Sequence, residues 1–156
     1  SGRLEVTGCL GADADFAGPA GLAAGQQTVY VADAAGAAIR SVNARSGQVQ
    51  TVIGRDTWEF GREDGRRTEA RLQQPQAIAL DPDSPRLWIA DSGNDLLRCL
   101  RLGGGEVSTF PLPRPLHGPA GLAVGGGVVW IADTDAHAVL RLDVSTGDLH
   151  HIPLGE

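Results

Sequence analysis

An all-β fold built from three copies of one four-stranded unit is what this sequence predicts, on three observations. A six-residue phrase recurs at 18–23 (Gly-Pro-Ala-Gly-Leu-Ala), 74–79 (Gln-Pro-Gln-Ala-Ile-Ala) and 118–123 (Gly-Pro-Ala-Gly-Leu-Ala). A second phrase follows each at a nearly fixed offset: Val-Tyr-Val-Ala-Asp at 29–33, Leu-Trp-Ile-Ala-Asp at 87–91 and Val-Trp-Ile-Ala-Asp at 129–133. No segment sustains a helical apolar period over ten or more residues. Repetition at this spacing means stacked supersecondary units that bury their faces on one another.

Within each unit the first run is small, as in Ala20, Gly21, Leu22 and Ala23, which suits an inner strand crowded by its neighbours. The second run carries the bulk, at Tyr30, Trp88 and Trp130, and these aromatics are expected between stacked units. A short polar or Gly-containing loop follows Asp33, Asp91 and Asp133. A third run comes next: Ile-Arg-Ser-Val at 39–42, Leu-Arg-Cys-Leu at 97–100 and Val-Leu-Arg-Leu at 139–142. A Gly- or Ser-rich turn then leads to a fourth run, Val-Gln-Thr-Val-Ile at 49–53, Val-Ser-Thr-Phe at 107–110 and Leu-His-His-Ile at 149–152. Four short runs rich in β-branched and aromatic residues, separated by turn residues, read as an antiparallel sheet.

Four-stranded units of about 40–45 residues are the mark of a β-propeller. The blades are placed at about 17–53, 74–110 and 118–153 of a single domain. The closing aspartates lie 58 and 42 residues apart, so an insertion at 54–73 separates the first two blades. Twelve strands and essentially no helix are expected, apart from a turn in that insertion. Its tip, with Gly61, Gly65 and the charged run 62–69, is expected to be mobile, with Trp58, Phe60 and Leu72 anchoring its ends by burial. Three blades leave two uncovered end faces. Either the chain is a fragment of a longer protein, or two copies complete a ring as a homodimer.

These runs resemble the NHL repeat, and the resemblance covers nearly the whole chain. It implies an all-β, six-bladed propeller, of which three four-stranded blades make half. The stretch Phe-Gly-Arg-Glu-Asp-Gly at 60–65, followed by Glu-Ala-Arg-Leu-Gln-Gln-Pro at 69–75, is similar to proteins that carry a thioredoxin-like domain before an NHL propeller. This chain has no Cys-x-x-Cys. Where Asn-His often follows the Asp loop in the family, it has Ala37-Ala38, Asn94-Asp95 and Ala136-His137.

Net charge is −6, which argues against a general polyanion partner; NHL propellers that bind RNA do so through a basic face. Arg62, Arg66, Arg67 and Arg71 cluster, but among Glu59, Glu63, Asp64 and Glu69, as in a solvated ion-pair loop. Cys9 and Cys99 form neither a disulfide framework nor a metal spacing, and Cys99 is expected to face a blade interface. No segment reads as a signal peptide or membrane span, which makes the cytoplasm the default expectation. Arg, Ala and Gly usage without any Lys suggests a GC-rich bacterial genome.

Strand alternation puts the loops after Asp33, Asp91 and Asp133 and the insertion on one face, where propellers commonly bind. Asp33, Asp91, Asp133, Trp58, Arg62 and His137 are therefore the candidate binding residues. The repeated aspartates also suit a structural role, accepting hydrogen bonds from loop N–H groups. One carboxylate per blade does not converge on a metal ion. His117, His137, His150 and His151 are the available bases, and none has a nucleophile in a matching context. The expectation is a scaffold that binds a protein or peptide, with no cofactor, metal, nucleic acid or membrane. Two alternatives stand beside it: the substrate-recognition propeller of a thioredoxin-like redox protein, and a propeller enzyme with metal at the channel mouth.

Overall fold

The computed structural model describes residues 16–54 and 60–153. Three antiparallel sheets follow one another along the chain. The first blade comprises β1 (Pro19–Ala24), β2 (Thr28–Asp33), β3 (Ala38–Asn43) and β4 (Val49–Ile53), hydrogen-bonded in sequence order. The second contains β6 (Pro75–Leu80), β7 (Arg86–Asp91), β8 (Leu96–Arg101) and β9 (Glu106–Thr109). The third is β10 (Pro119–Gly125), β11 (Val128–Asp133), β12 (Ala138–Asp143) and β13 (Leu149–His151).

The registers are superimposable. Tyr30 pairs with Ala23 and Ser41, Trp88 with Ala79 and Cys99, and Trp130 with Ala123 and Arg141. Each first strand has an irregularity after its proline, at Pro19, Pro75 and Pro119. The inner strands approach closely: a Cβ on Gly21 would lie 2.9 Å from the Gln76 carbonyl oxygen. That contact explains why the first run of the repeat is small.

Strand alternation gives each blade a leading and a trailing face. The trailing face of the first blade (Ala23, Ala32, Ile39, with Tyr30 against it) packs on the leading face of the second (Ile78, Leu87, Ile89, Leu100, Val107). The trailing face of the second (Trp88, Leu97, Cys99) packs on the leading face of the third (Val129, Ile131, Leu140, Leu142, Leu149). Phe110 meets the Trp88 ring edge-on at 5.4 Å. Each buried Leu, Ile or Val contributes about 1.5–3 kcal/mol to such a seam.

The insertion departs from expectation. Gly65–Arg66 forms β5, which pairs antiparallel with Val107 and Glu106 of β9 and makes the second sheet five-stranded. Among the described residues there are thirteen strands rather than the expected twelve, because the free edge of β9 takes up this segment. The tip is not a free loop: Arg67 N–H donates to the Gly105 carbonyl and Arg71 N–H to that of Glu63. Leu72 is buried as expected, but Phe60 is 45% exposed. The next residue is held through its backbone, the Asn94 side-chain amide donating to the Gly61 carbonyl at 2.6 Å. Trp58 and Cys9 lie outside the described residues. Among the described residues the helical segments are two single 3-10 turns, Ser92–Asn94 and Thr134–Ala136, in the loops after Asp91 and Asp133. No described helix is long and apolar enough to cross a membrane.

Candidate functional site

Asp33, Asp91 and Asp133 close the second strand of their blades, and all three are buried. Each carboxylate accepts from backbone N–H groups that lead into its own blade. Asp33 takes Ala17 and Gly18, Asp91 takes Gln73 and Asp133 takes His117, at 2.6–3.1 Å. This arrangement ties the entry of the first strand to the end of the second. It is a hydrogen-bonding role that leaves little of the carboxylates for a ligand.

Two of the three aspartates have a second partner seven residues on. Arg40 Nε meets Asp33 at 3.2 Å and Arg98 meets Asp91 at 2.7 Å. In the third blade that position is Leu140, and His117 N–H is the hydrogen bond made to Asp133. Burial pushes the Asp91 carboxyl up, against the opposing pull of Asn94, the Gln73 N–H and Arg98. Arg98 is wholly buried and reaches past Asp91 into the insertion. It donates to the carbonyls of Arg71 and Glu63 and to Asp64 at 2.8–2.9 Å. Asp64 in turn accepts from the Thr109 hydroxyl and N–H. Sequence reading ranked Arg62 as a candidate and passed over Arg98; the position-by-position Asp–Arg spacing in two of three repeats was the signal available. Arg62 is exposed on the insertion.

His137 is exposed and sits at φ 52°, the left-handed position that ends the 3-10 turn. Ala37 and Asp95 occupy the same place with φ 50° and 57°. His and Asp tolerate that conformation better than most residues, so the turn itself accounts for His137. Among the described residues, no group of three or more His, Cys, Asp or Glu is arranged to hold a metal ion. Thus Asp33, Asp91 and Asp133 occupy one such position per blade, each with its own blade's partners, and His137 and Arg62 stand apart on that loop side.

Two surface clefts open at the other end of the strands, on either side of the turn that joins β8 to β9. One, of about 470 Å³, lies between the first two blades and is lined by Thr28, Tyr30, Ser41, Gln50, Arg67 and Arg101, among others. The other, of about 520 Å³, is lined by Arg86, Trp88, Cys99, Arg101, Ser108 and Phe110, among others. Cys99 is buried, and desolvation pushes its thiol up, which disfavours the reactive thiolate.

No family model matches the chain. The chain is 30% identical to NHL repeat-containing protein 2 of Gallus gallus, over 90% of its own length and 23% of that protein's. It thus spans about a quarter of that relative. Among solved structures it superposes on a Bacteroides thetaiotaomicron protein of unknown function with a TM-score of 0.66, at 24% identity over 73% of this chain and 32% of that one. Virginiamycin B lyase from Staphylococcus aureus superposes with a TM-score of 0.65, at 15% identity over 92% of this chain and 43% of that one. At these identities the structural likeness speaks for fold alone. In sequence and in fold, the chain is a run of NHL-type β-propeller blades.

Proposed function

We propose that this chain is a protein-binding scaffold module with no catalysis of its own, and that its exposed blade faces are the binding surface. One observation carries the reading. Trp88 and Trp130 hold the same register position, yet Trp88 is fully buried and Trp130 is 40% exposed. The same holds one pair further along the sheet, where Leu97 is buried and Val139 is 37% exposed. At the opposite end of the arc, Leu22 is 69% exposed where its counterpart Ile78 is buried. Large apolar side chains at positions built for a seam are unusual on a free surface.

The partner that fits the third blade's trailing face is another leading face. Val29 and Val42 of the first blade, both half-buried, stand at the registers of Val129 and Leu142, which cover Trp88. Val31 and Val49, at the registers of Ile131 and Leu149, are already buried within the chain, so Leu22 is the large apolar side chain this face exposes. Two copies related by a two-fold axis would join both pairs of ends and give six blades. The buried area should then reach or exceed the roughly 1,200–2,000 Å² of stable dimers. The non-catalytic part of the reading is supported by the commitment of the repeated aspartates to the loop entries.

Sedimentation equilibrium across a micromolar concentration series tests this. The expected result is a species of twice the 16.2 kDa chain mass, reduced to one chain mass by Trp130→Glu. A folded, soluble species of 16.2 kDa at every concentration would remove the dimer and with it the proposed binding face.

A further inference from the structure

The turn joining β8 to β9 breaks a rule that its two counterparts keep. In the first blade Asn43 opens the turn, and its side-chain oxygen accepts from the N–H groups of Arg45 and Ser46. In the third blade Asp143 does the same for the Ser145 N–H and hydroxyl. Such side chains hold a turn by mimicking a backbone acceptor. The register places Arg101 at this position in the second blade, and arginine has no acceptor to offer. The residues that follow are Leu102, Gly103, Gly104 and Gly105.

Packing does not call for two of those glycines. A Cβ at Gly103 or Gly104 would meet nothing within 4 Å, and only Gly105 of the three has a positive φ, of 71°. Gly103 and Gly104 leave the mouths of both neighbouring clefts unobstructed, and both glycines line them. Local turn chemistry has been given up for an open rim and a positive charge, as happens where function competes with folding.

The cleft between the first two blades has donors to match. Arg67 lies along Gly105, its side chain 3.4–3.6 Å from where a Cβ would be. Its backbone N–H is fixed to the Gly105 carbonyl at 2.7 Å. The hydroxyls of Thr28, Tyr30 and Ser41 and the Gln50 amide line the opposite wall. Arg40, Arg86 and Arg98 are each ion-paired. By contrast, among the described residues no carboxylate lies within 4 Å of Arg67 or Arg101. On a chain of net charge −6, two such arginines at one cleft are a local reversal of sign.

We infer that this cleft binds the carboxylate side chains of an acidic peptide, with Arg67 as the contacting cation and Thr28, Tyr30, Ser41 and Gln50 as hydrogen-bonding partners. Arg101 stands on the strand face that turns toward Cys99 and lines both clefts, so it acts mainly through its field. The volume admits one or two acidic side chains. The inference rests on the reading of the chain as a protein-binding module, but uses a different surface from the blade ends.

The test is fluorescence anisotropy with a labelled peptide of alternating Glu and Gly, its Gln counterpart, and free succinate as competitor. Binding of the Glu peptide is expected, weakening with salt, with no comparable binding of the Gln peptide. Arg67→Gln should weaken it about five- to tenfold, the loss of roughly one charged contact. Arg101→Asn should weaken it less while restoring the turn acceptor, so its melting temperature should equal or exceed the parent's. That variant separates lost binding from lost folding. Equal binding of both peptides, no binding of either, or indifference to Arg67→Gln would overturn the cleft while leaving the blade-end dimer standing. Succinate competing as strongly as the peptide would overturn the peptide assignment and make this a small-carboxylate site.

Discussion

The second and third blades are written in nearly the same words and are held together differently. In the second, Asp91 faces the buried guanidinium of Arg98, which also grips the insertion through two carbonyls and Asp64. In the third, Asp133 has no arginine partner among the described residues, and Leu140 fills the register position as part of an apolar cluster with Leu116 and Ile131. The difference follows from what each blade must hold. The second carries an extra strand and an inserted lobe with many carbonyls to satisfy, and a five-donor guanidinium meets several at once. The third is entered by the short segment 111–118, where Leu116 is buried and an aliphatic side chain packs better. A repeated carboxylate thus serves two chemistries: part of an ionic node in one blade and a simple backbone acceptor in the other.

The largest test of that contrast is Arg98→Ala. Removing the cation leaves Asp91 buried without its charge partner and frees the carbonyls of Glu63 and Arg71. A loss of about 3–5 kcal/mol in urea unfolding is expected, with new protease cleavage between residues 61 and 72. A loss below about 1 kcal/mol would mean the node is not structural. Next is the tryptophan pair: Trp88→Ala should cost about 3–5 kcal/mol. Trp130→Ala should cost far less in a dilute, monomeric sample, because no blade packs on its ring there and the Arg141 guanidinium, 6.0 Å from the ring centroid, lies over it at an exposed site. Equal costs would contradict the assignment of faces.

Smaller effects separate the aspartates. Asp133→Asn keeps an acceptor for the His117 N–H and should stay within about 1 kcal/mol of the parent. Asp91→Asn, which uncouples the Arg98 charge, should cost more. At the edge of the second blade, burial alone would raise the Asp81 carboxyl, but hydrogen bonds from Arg86, the Asp83 N–H and Trp88 outweigh it and hold the group below its usual 3.8. A lowered folded-state value means stability is present above the unfolded value and lost as pH falls through the folded one. Asp81→Asn should therefore flatten the acid limb of stability below about pH 4 and leave its slope at neutral pH unchanged. Smallest of all, Ala37 sits at φ 50° without the tolerance of Asp or His. Ala37→Gly should gain about 0.5–1 kcal/mol.

Much of this architecture was legible because the repeat is read in threes. Proline entries at Pro19, Pro75 and Pro119, small inner strands, aromatic second strands and closing aspartates mapped directly onto the blades. The strand at Gly65–Arg66 was hidden: two residues with no apolar pattern become a strand only because β9 offers them an edge. Arg98 was hidden for a related reason. An arginine alternating with Leu97 and Cys99 reads as the solvent side of a strand, unless the inserted lobe is known to cover it. The exposed face of Trp130 was foreseeable from counting blades. The cleft at Arg67 and Arg101 lies at the other end of the strands from the loops first ranked for binding. Its clue in sequence was a turn that lacks the Asn or Asp of its two siblings.

The central claim is that a blade's aromatic face is shielded only when another blade covers it, and that a second copy does so for Trp130. It is tested most directly by acrylamide quenching of a variant that keeps Trp130 as its sole tryptophan, with Trp58 and Trp88 replaced by Phe. The account predicts an accessible ring at nanomolar concentration and a shielded, blue-shifted one at tens of micromolar, the change following the monomer–dimer mass transition. Quenching that stays high and constant across that range, in a protein that remains folded, would contradict it.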